Sequence, residues 1–474
     1  MGSVQHQTIR ETVRKLWADD VVASLSGLVE IPALSPGFDP DWDSSGKLAA
    51  AVEHVRAWVA ARNLPGASID VVQVDGRSPV LLVDVPATAG TDRGTVLIYG
   101  HLDKQPPVGG WSDGLGPWQP VLRDGRLYGR GAADDGYAGY AAVTALEAVH
   151  AAGGNHARAV ILLETGEESG SPDLPAYLEH LAGRLGRVSF VICLDSGGND
   201  YQRLWLTTSL RGLVNVHVTV RVLDSARHSG LASGIVPSSF RVLRRLLERI
   251  EDAGTGEIRL AEFNVDIPAN RVAEARAMVE VAPGSLTGAF PFAEGVRPVS
   301  GDEVELALNN AWRPTLSVTG ASGFPQPADA GNVLRDSTTL ALSFRLPPTA
   351  DPDAALNAVR KALTTDVPYS AQVELTGVEH AGGWNAPDAA PWLSSALDRV
   401  SGEVFGAPWR GAGLGGSIPF MGLLAARYPQ AQFLVTGALG PDSGAHVPDE
   451  WLHLGQAQRI TEAVAHMLDA HATA

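Results

Sequence analysis

Over residues 90 to 200 the apolar positions come in short continuous runs, separated by stretches with helical spacing. Thr95 to Tyr99, Ala159 to Leu163 and Val188 to Leu194 are such runs, apolar almost throughout, as strands covered on both faces are. A helix of small residues is expected from about Gly139 to Ala152, and Ala431 to Thr436 reads as a later strand of the same sheet. The fold class predicted is α/β, with a mainly parallel sheet flanked by helices.

The middle third changes period. Val214, Val216, Val218, Val220 and Val222 alternate with Asn215, His217, Thr219 and Arg221, which predicts a half-exposed antiparallel strand. Leu340, Leu342, Phe344 and Leu346 repeat the pattern, and Val373 and Leu375 mark a third strand. Phe240, Leu243, Leu247 and Ile250 fall at helical spacing after Pro237 and Ser238, and Pro352 to Leu363 reads as a second helix. These elements form a smaller α+β unit over 208–381, inserted into a larger unit made of 1–207 and 382–474. Gly382 to Pro391 returns the chain to the larger unit, where Gly411 to Gly416 reads as a flexible loop.

Composition narrows the function classes. With 474 residues, 45% hydrophobic and 19% charged, the chain is an ordinary globular protein with room for more than one domain. Acidic residues outnumber basic ones 53 to 36, for a formal charge of -17, which argues against a protein that tracks nucleic-acid phosphate. The one cysteine, Cys193, sits in an apolar run and is expected to be buried, so no disulfide framework is possible. The opening MGSVQHQ has no apolar signal core, and Ala141 to Ala152 is broken by Glu147 and His150, short of the roughly 18 clean residues of a membrane span. A soluble cytoplasmic protein is expected, with no nucleic-acid or membrane partner.

Histidine and carboxylate residues collect just after the predicted strands, where ligand sites gather in open α/β sheets. The first strand runs into Gly100-His101-Leu102-Asp103, the second into Glu164-Thr165-Gly166-Glu167-Glu168, and the third into Asp195-Ser196-Gly197-Gly198. A glycine-rich turn, Leu127 to Asp135, brings Asp134 and Asp135 to the mouth of a helix, and Gly444-Ala445-His446 comes late in the chain. Two histidines and several carboxylates suit a pair of divalent cations such as zinc or manganese.

In order along the chain, GHLD, LYGRGAADD, ETGEESGS, LDSGG, RHSG, FRLPP, GGSIP and GAHVPDE resemble the co-catalytic metallopeptidases. That family includes carnosinases, cytosolic nonspecific dipeptidases, carboxypeptidase G and succinyl-diaminopimelate desuccinylase. ETGEESGS, RHSG and GGSIP are most similar to the dipeptidase branch. The family commonly has Lys-Gly where Gly136 and Tyr137 stand here.

The resemblance implies a dinuclear hydrolase of dipeptides or short peptides. His101 and Asp195 would hold one metal, Glu168 and His446 the other, and Asp134 would bridge them. Glu167 would be the catalytic base, and Asp103 would accept a hydrogen bond from the His101 imidazole. His228 would supply an oxyanion donor from the inserted unit, reaching the site of a neighbouring subunit in a homodimer. Arg345, on the polar face of its strand, with Gly416 and Ser417 from the larger unit, would clamp the substrate carboxylate. An N-acyl-amino-acid deacylase or carboxypeptidase shares this metal chemistry, and an inactive binding protein on the same fold is the alternative of another class.

Overall fold

Residues 3–62, 64–288, 290–416 and 419–474 are described by a computed structural model. Three of the apolar runs become the buried heart of a six-stranded sheet. Its order is Ser68–Val72, Val80–Val85, Arg158–Glu164, Thr95–His101, Val188–Cys193 and Gln432–Val435. The last four are mutually parallel, while Val80–Val85 joins Arg158–Glu164 antiparallel and Ser68–Val72 extends that edge. Helix Ala138–Ala151, rich in alanine, lies almost wholly buried against the sheet, with the C-terminal helix Leu454–Thr473 packed on it.

Register places the chemistry. His101 pairs with Glu164 at the C-terminal end of adjacent parallel strands, and Tyr99 pairs with Cys193, two residues before Asp195. The residues that follow three central strands therefore meet at the C-terminal ends of those strands.

The alternating segments form a separate antiparallel sheet in the order Thr315–Ser322, Ser337–Leu346, Gly212–Arg221 and Gln372–Ala381. Val214, Val216 and Val218 lie opposite Phe344, Leu342 and Leu340, and their buried face is covered by helices Ser239–Leu247 and Pro352–Thr364. The expected face of the first helix is corrected: Val242, Leu243 and Leu246 are buried with Ile250, whereas Phe240 is exposed and stacks edge-on against Phe324 at 5.5 Å. Two leucines at 246 and 247 offer two helical registers, and packing on the sheet selects Leu246.

Between the two sheets Trp205–Leu210 runs parallel to Arg410–Leu414 and antiparallel to Trp384–Asn385. The glycines expected to make a flexible loop are thus strand residues as far as Leu414. A Cβ on Gly413 would lie 2.4 Å from the Ser209 hydroxyl and 2.7 Å from the Ala311 Cβ, so glycine serves close approach here. Among the described residues no helix is long and apolar enough to cross a membrane.

Candidate metal centre

His101 ends its central strand fully buried. Its Nδ1 donates to the Asp103 carbonyl oxygen at 3.0 Å, which fixes the tautomer and leaves Nε2 as the lone-pair atom. The expected carboxylate contact is the longer one, 3.4 Å to Asp103 Oδ1. That carboxylate instead accepts the backbone N–H groups of Glu167 and Glu168 at 3.2 and 3.0 Å, so Asp103 fixes the turn that carries both glutamates.

Asp134 is the centre of the arrangement. Its Oδ1 lies 3.4 Å from His101 Nε2 and its Oδ2 lies 2.9 Å from His446 Nε2, so one carboxylate faces both imidazoles. Asp195 Oδ2 is 4.0 Å from His101 Nε2, and Glu168 Oε2 is 3.2 Å from His446 Nε2. Two donor sets result, His101–Asp134–Asp195 and Asp134–Glu168–His446, each with its donor atoms within 4.8 Å of one another.

The residues fit divalent cations. Two imidazoles stand among far more carboxyl groups, and His101 Nε2 and Glu168 Oε1 are buried without a hydrogen-bond partner. Burial, reinforced by the neighbouring Asp134 and Glu168 charges against the pull of His101, pushes the Asp195 carboxyl up to about 7. Burial, with Asp195 beside it, likewise carries Glu167 well above the usual carboxylate range. His446 rises to about 11 through its hydrogen bonds to Asp134 and Glu168. This much buried negative charge calls for a compensating positive charge, which divalent cations supply.

Several supporting residues escaped the sequence reading. Buried Glu450, the last residue of GAHVPDE, accepts the N–H groups of Gly131, Ala133 and Asp134 at 3.0, 3.2 and 3.3 Å and pairs with Arg130 at 2.8 Å. It thereby holds the glycine-rich turn that presents Asp134. Gln105 donates to Glu168 Oε2 at 2.7 Å. Tyr137, where the family commonly has glycine, is fully buried and donates to the Leu194 carbonyl at 2.5 Å while accepting the Ala438 N–H at 3.0 Å. Glu450 and Arg130 lie in quoted segments and Tyr137 stands out as a departure from the family pattern, whereas Gln105 acts through a partner distant in sequence.

Asp134, Glu168, Asp195 and His446 line a cavity of about 690 Å³ together with Glu167, Gln105, Arg345, Gly415 and Gly416. The structure does not bring His228 there: it is exposed, in a short strand paired with Val333–Leu334. Ser417 lies outside the described residues. A further donor cluster, His6, Glu462 and His466, differs in kind, because Arg10 holds Glu462 at 3.0 Å and Arg399 and Arg10 both stand close to His466.

Two donor sets that share one carboxylate, beside the strand ends of a mainly parallel sheet, are an arrangement suited to a dinuclear metal site. Residues 97–470 match peptidase family M20/M25/M40, and the chain belongs to that family of metal-dependent hydrolases. It is 26% identical over 433 residues to the cysteinylglycine-S-conjugate dipeptidase of Corynebacterium striatum, covering 88% of this chain and 89% of that one. Its fold matches the dipeptidase Dug1p of Saccharomyces cerevisiae with a TM-score of 0.77 at 21% identity, covering 100% of both chains. The M20 metallo-carboxypeptidase Sso-CP2 of Sulfolobus solfataricus matches with a TM-score of 0.79 at 20% identity, covering 96% of this chain and 100% of that one.

Proposed function

We propose that this protein hydrolyses the peptide bond of dipeptides or short peptides, using two divalent cations, zinc or manganese, per subunit. The observation that carries the reading is Asp134, with one oxygen toward His101 and the other toward His446, in a cavity that also holds Glu167 and Arg345. His101 and Asp195 would hold one cation and Glu168 and His446 the other, with Asp134 common to both donor sets. When bound, such cations polarise the scissile carbonyl and make a water acidic enough to lose its proton near neutral pH.

Glu167 takes the water proton on its carboxylate and delivers it to the leaving amine, serving as base and then acid. Asp103 keeps that carboxylate in place through the backbone of Glu167. Arg345 binds the substrate's free carboxylate together with Gly416, which lines the same cavity. The dipeptidase relatives support the substrate class, and the carboxypeptidase likeness is why acylated amino acids belong in the test.

His228 completes the site of a second subunit as a donor to the oxyanion. Supporting this, its Nδ1 accepts the Gly230 N–H at 3.1 Å, which leaves Nε2 for an outside partner. Leu231 and Ile235 beside it are 78% and 83% exposed, apolar surface that a second copy would cover. The same reading makes 208–381 the lid and dimerisation unit, with 1–207 and 382–474 as the catalytic unit, in a cytoplasmic enzyme whose single buried Cys193 needs no oxidising compartment. Its test is hydrolysis of a dipeptide panel against N-acetyl and N-succinyl amino acids, with and without chelator. Chelator-sensitive turnover of dipeptides is expected; turnover of the acylated amino acids alone would replace the dipeptidase reading with a deacylase.

A further inference from the structure

Arg211 is a buried cation, 8% exposed, with no carboxylate paired to it among the described residues. Its Nε donates to the Gly415 carbonyl at 2.9 Å, its backbone N–H donates to the Gly416 carbonyl at 3.1 Å, and one terminal nitrogen reaches the Arg313 carbonyl and the Thr315 hydroxyl at 3.4 Å. Thr315 is the strand partner of Arg345. Burial, followed by the charge of Arg345, pushes the Arg211 guanidinium down to about 10. A buried charge without a counter-ion is costly, and its retention beside a second arginine needs a reason.

The reason lies in the peptide planes it grips. In a trans peptide the N–H points opposite to the C=O of the same plane. The Gly415 carbonyl is turned to Arg211, so the N–H of Gly416 points away from Arg211, and Gly416 itself lines the cavity. No protein acceptor takes that N–H among the described residues. Arg211 itself does not line the cavity, although Leu210 and Leu213 do. The loop is also pressed on Asn310, since a Cβ on Gly415 would lie 2.7 Å from its amide.

We propose that Arg211 is a positioning residue: it holds the Gly415–Gly416 peptide so that the Gly416 N–H faces the substrate carboxylate that Arg345 binds. This rests on the dipeptidase reading and adds to it the device that builds the subsite before substrate arrives. A carboxylate bound there takes the guanidinium of Arg345 on one side and the Gly416 N–H on the other, within the positive field of Arg211.

The test compares kcat and KM for a free dipeptide and its C-terminal amide in wild type, Arg211→Met and Arg211→Lys, all loaded with metal. In Arg211→Met the preference for the free dipeptide should fall by about tenfold or more, carried by KM, and inhibition by a free amino acid should weaken in parallel. Arg211→Lys keeps the charge but cannot bridge two carbonyls, so it should lose about three- to fivefold of the preference. If Arg211→Met does not fold, the lysine variant decides. Equal loss on both substrates, or an unchanged preference, overturns the positioning role. A wild type that treats free and amidated dipeptides alike overturns the carboxylate subsite itself.

Discussion

Glu167 and Asp134 make different demands on their carboxylates, and substitution separates them. Glu167→Gln keeps the shape but removes the proton acceptor, so metal content should stay at the wild-type level while turnover falls by at least about 100-fold. Asp134→Ala removes the carboxylate that both donor sets share, so elemental analysis should find metal lost along with activity. Near wild-type turnover of a metal-loaded Glu167→Gln would show that another group carries the proton. Arg345→Ala should cost about 2 to 5 kcal/mol in kcat/KM for free dipeptides, because the substrate carboxylate is left unpaired, and little for amidated ones. At this scale the sequence was informative wherever a donor follows a strand, because the sheet itself gathers those positions. It was uninformative about Tyr137 and Gln105, and about which atoms of Asp103 do what. Those roles depend on contacts such as Tyr137 with Ala438, which no local pattern records.

Among the elements, the strands were legible because burial on both faces, or on alternate positions, writes itself into the order of residues. The predicted Thr95 to Tyr99 strand extends to His101, and the predicted small-residue helix spans Ala138–Ala151. The strand Arg410–Leu414 was hidden by its own glycines, which read as a loop but serve the crossing with Ser209 and Ala311. Gly413→Ala should therefore destabilise the protein by about 1 to 3 kcal/mol through overpacking, read as a lower urea midpoint with an unchanged slope. A midpoint equal to wild type would mean that this crossing has slack.

For the whole molecule, the buried C-terminal helix carries an acid sensitivity independent of the metals. His471 is buried, its Nε2 lies 3.0 Å from the Ser189 hydroxyl, and burial followed by Arg93 and Arg187 pushes it down to about 4. Unfolded, it titrates near 6.5, so between these values the unfolded chain binds a proton that the folded chain refuses. Stability should then fall by up to about 3 kcal/mol as pH drops from about 6.5 to about 4, and this contribution should level off below. His471→Gln should flatten the slope in urea unfolding across that window; an unchanged slope would assign the sensitivity elsewhere. The dimer has its own test, because Glu167→Gln and His228→Ala chains, each inactive, should regain one working site per mixed dimer after subunit exchange. Failure to complement would remove His228 from the neighbouring site and leave the metal chemistry standing. The central claim, two cations held around Asp134 for dipeptide hydrolysis, is tested most directly by titrating chelator-treated protein with zinc or manganese while following both bound metal and cleavage of a free dipeptide. Activity should return as binding approaches two equivalents per chain, and Glu167→Gln should bind the same two without turning over. Full activity in the chelated protein, or two bound equivalents with no cleavage of any dipeptide, would contradict the account.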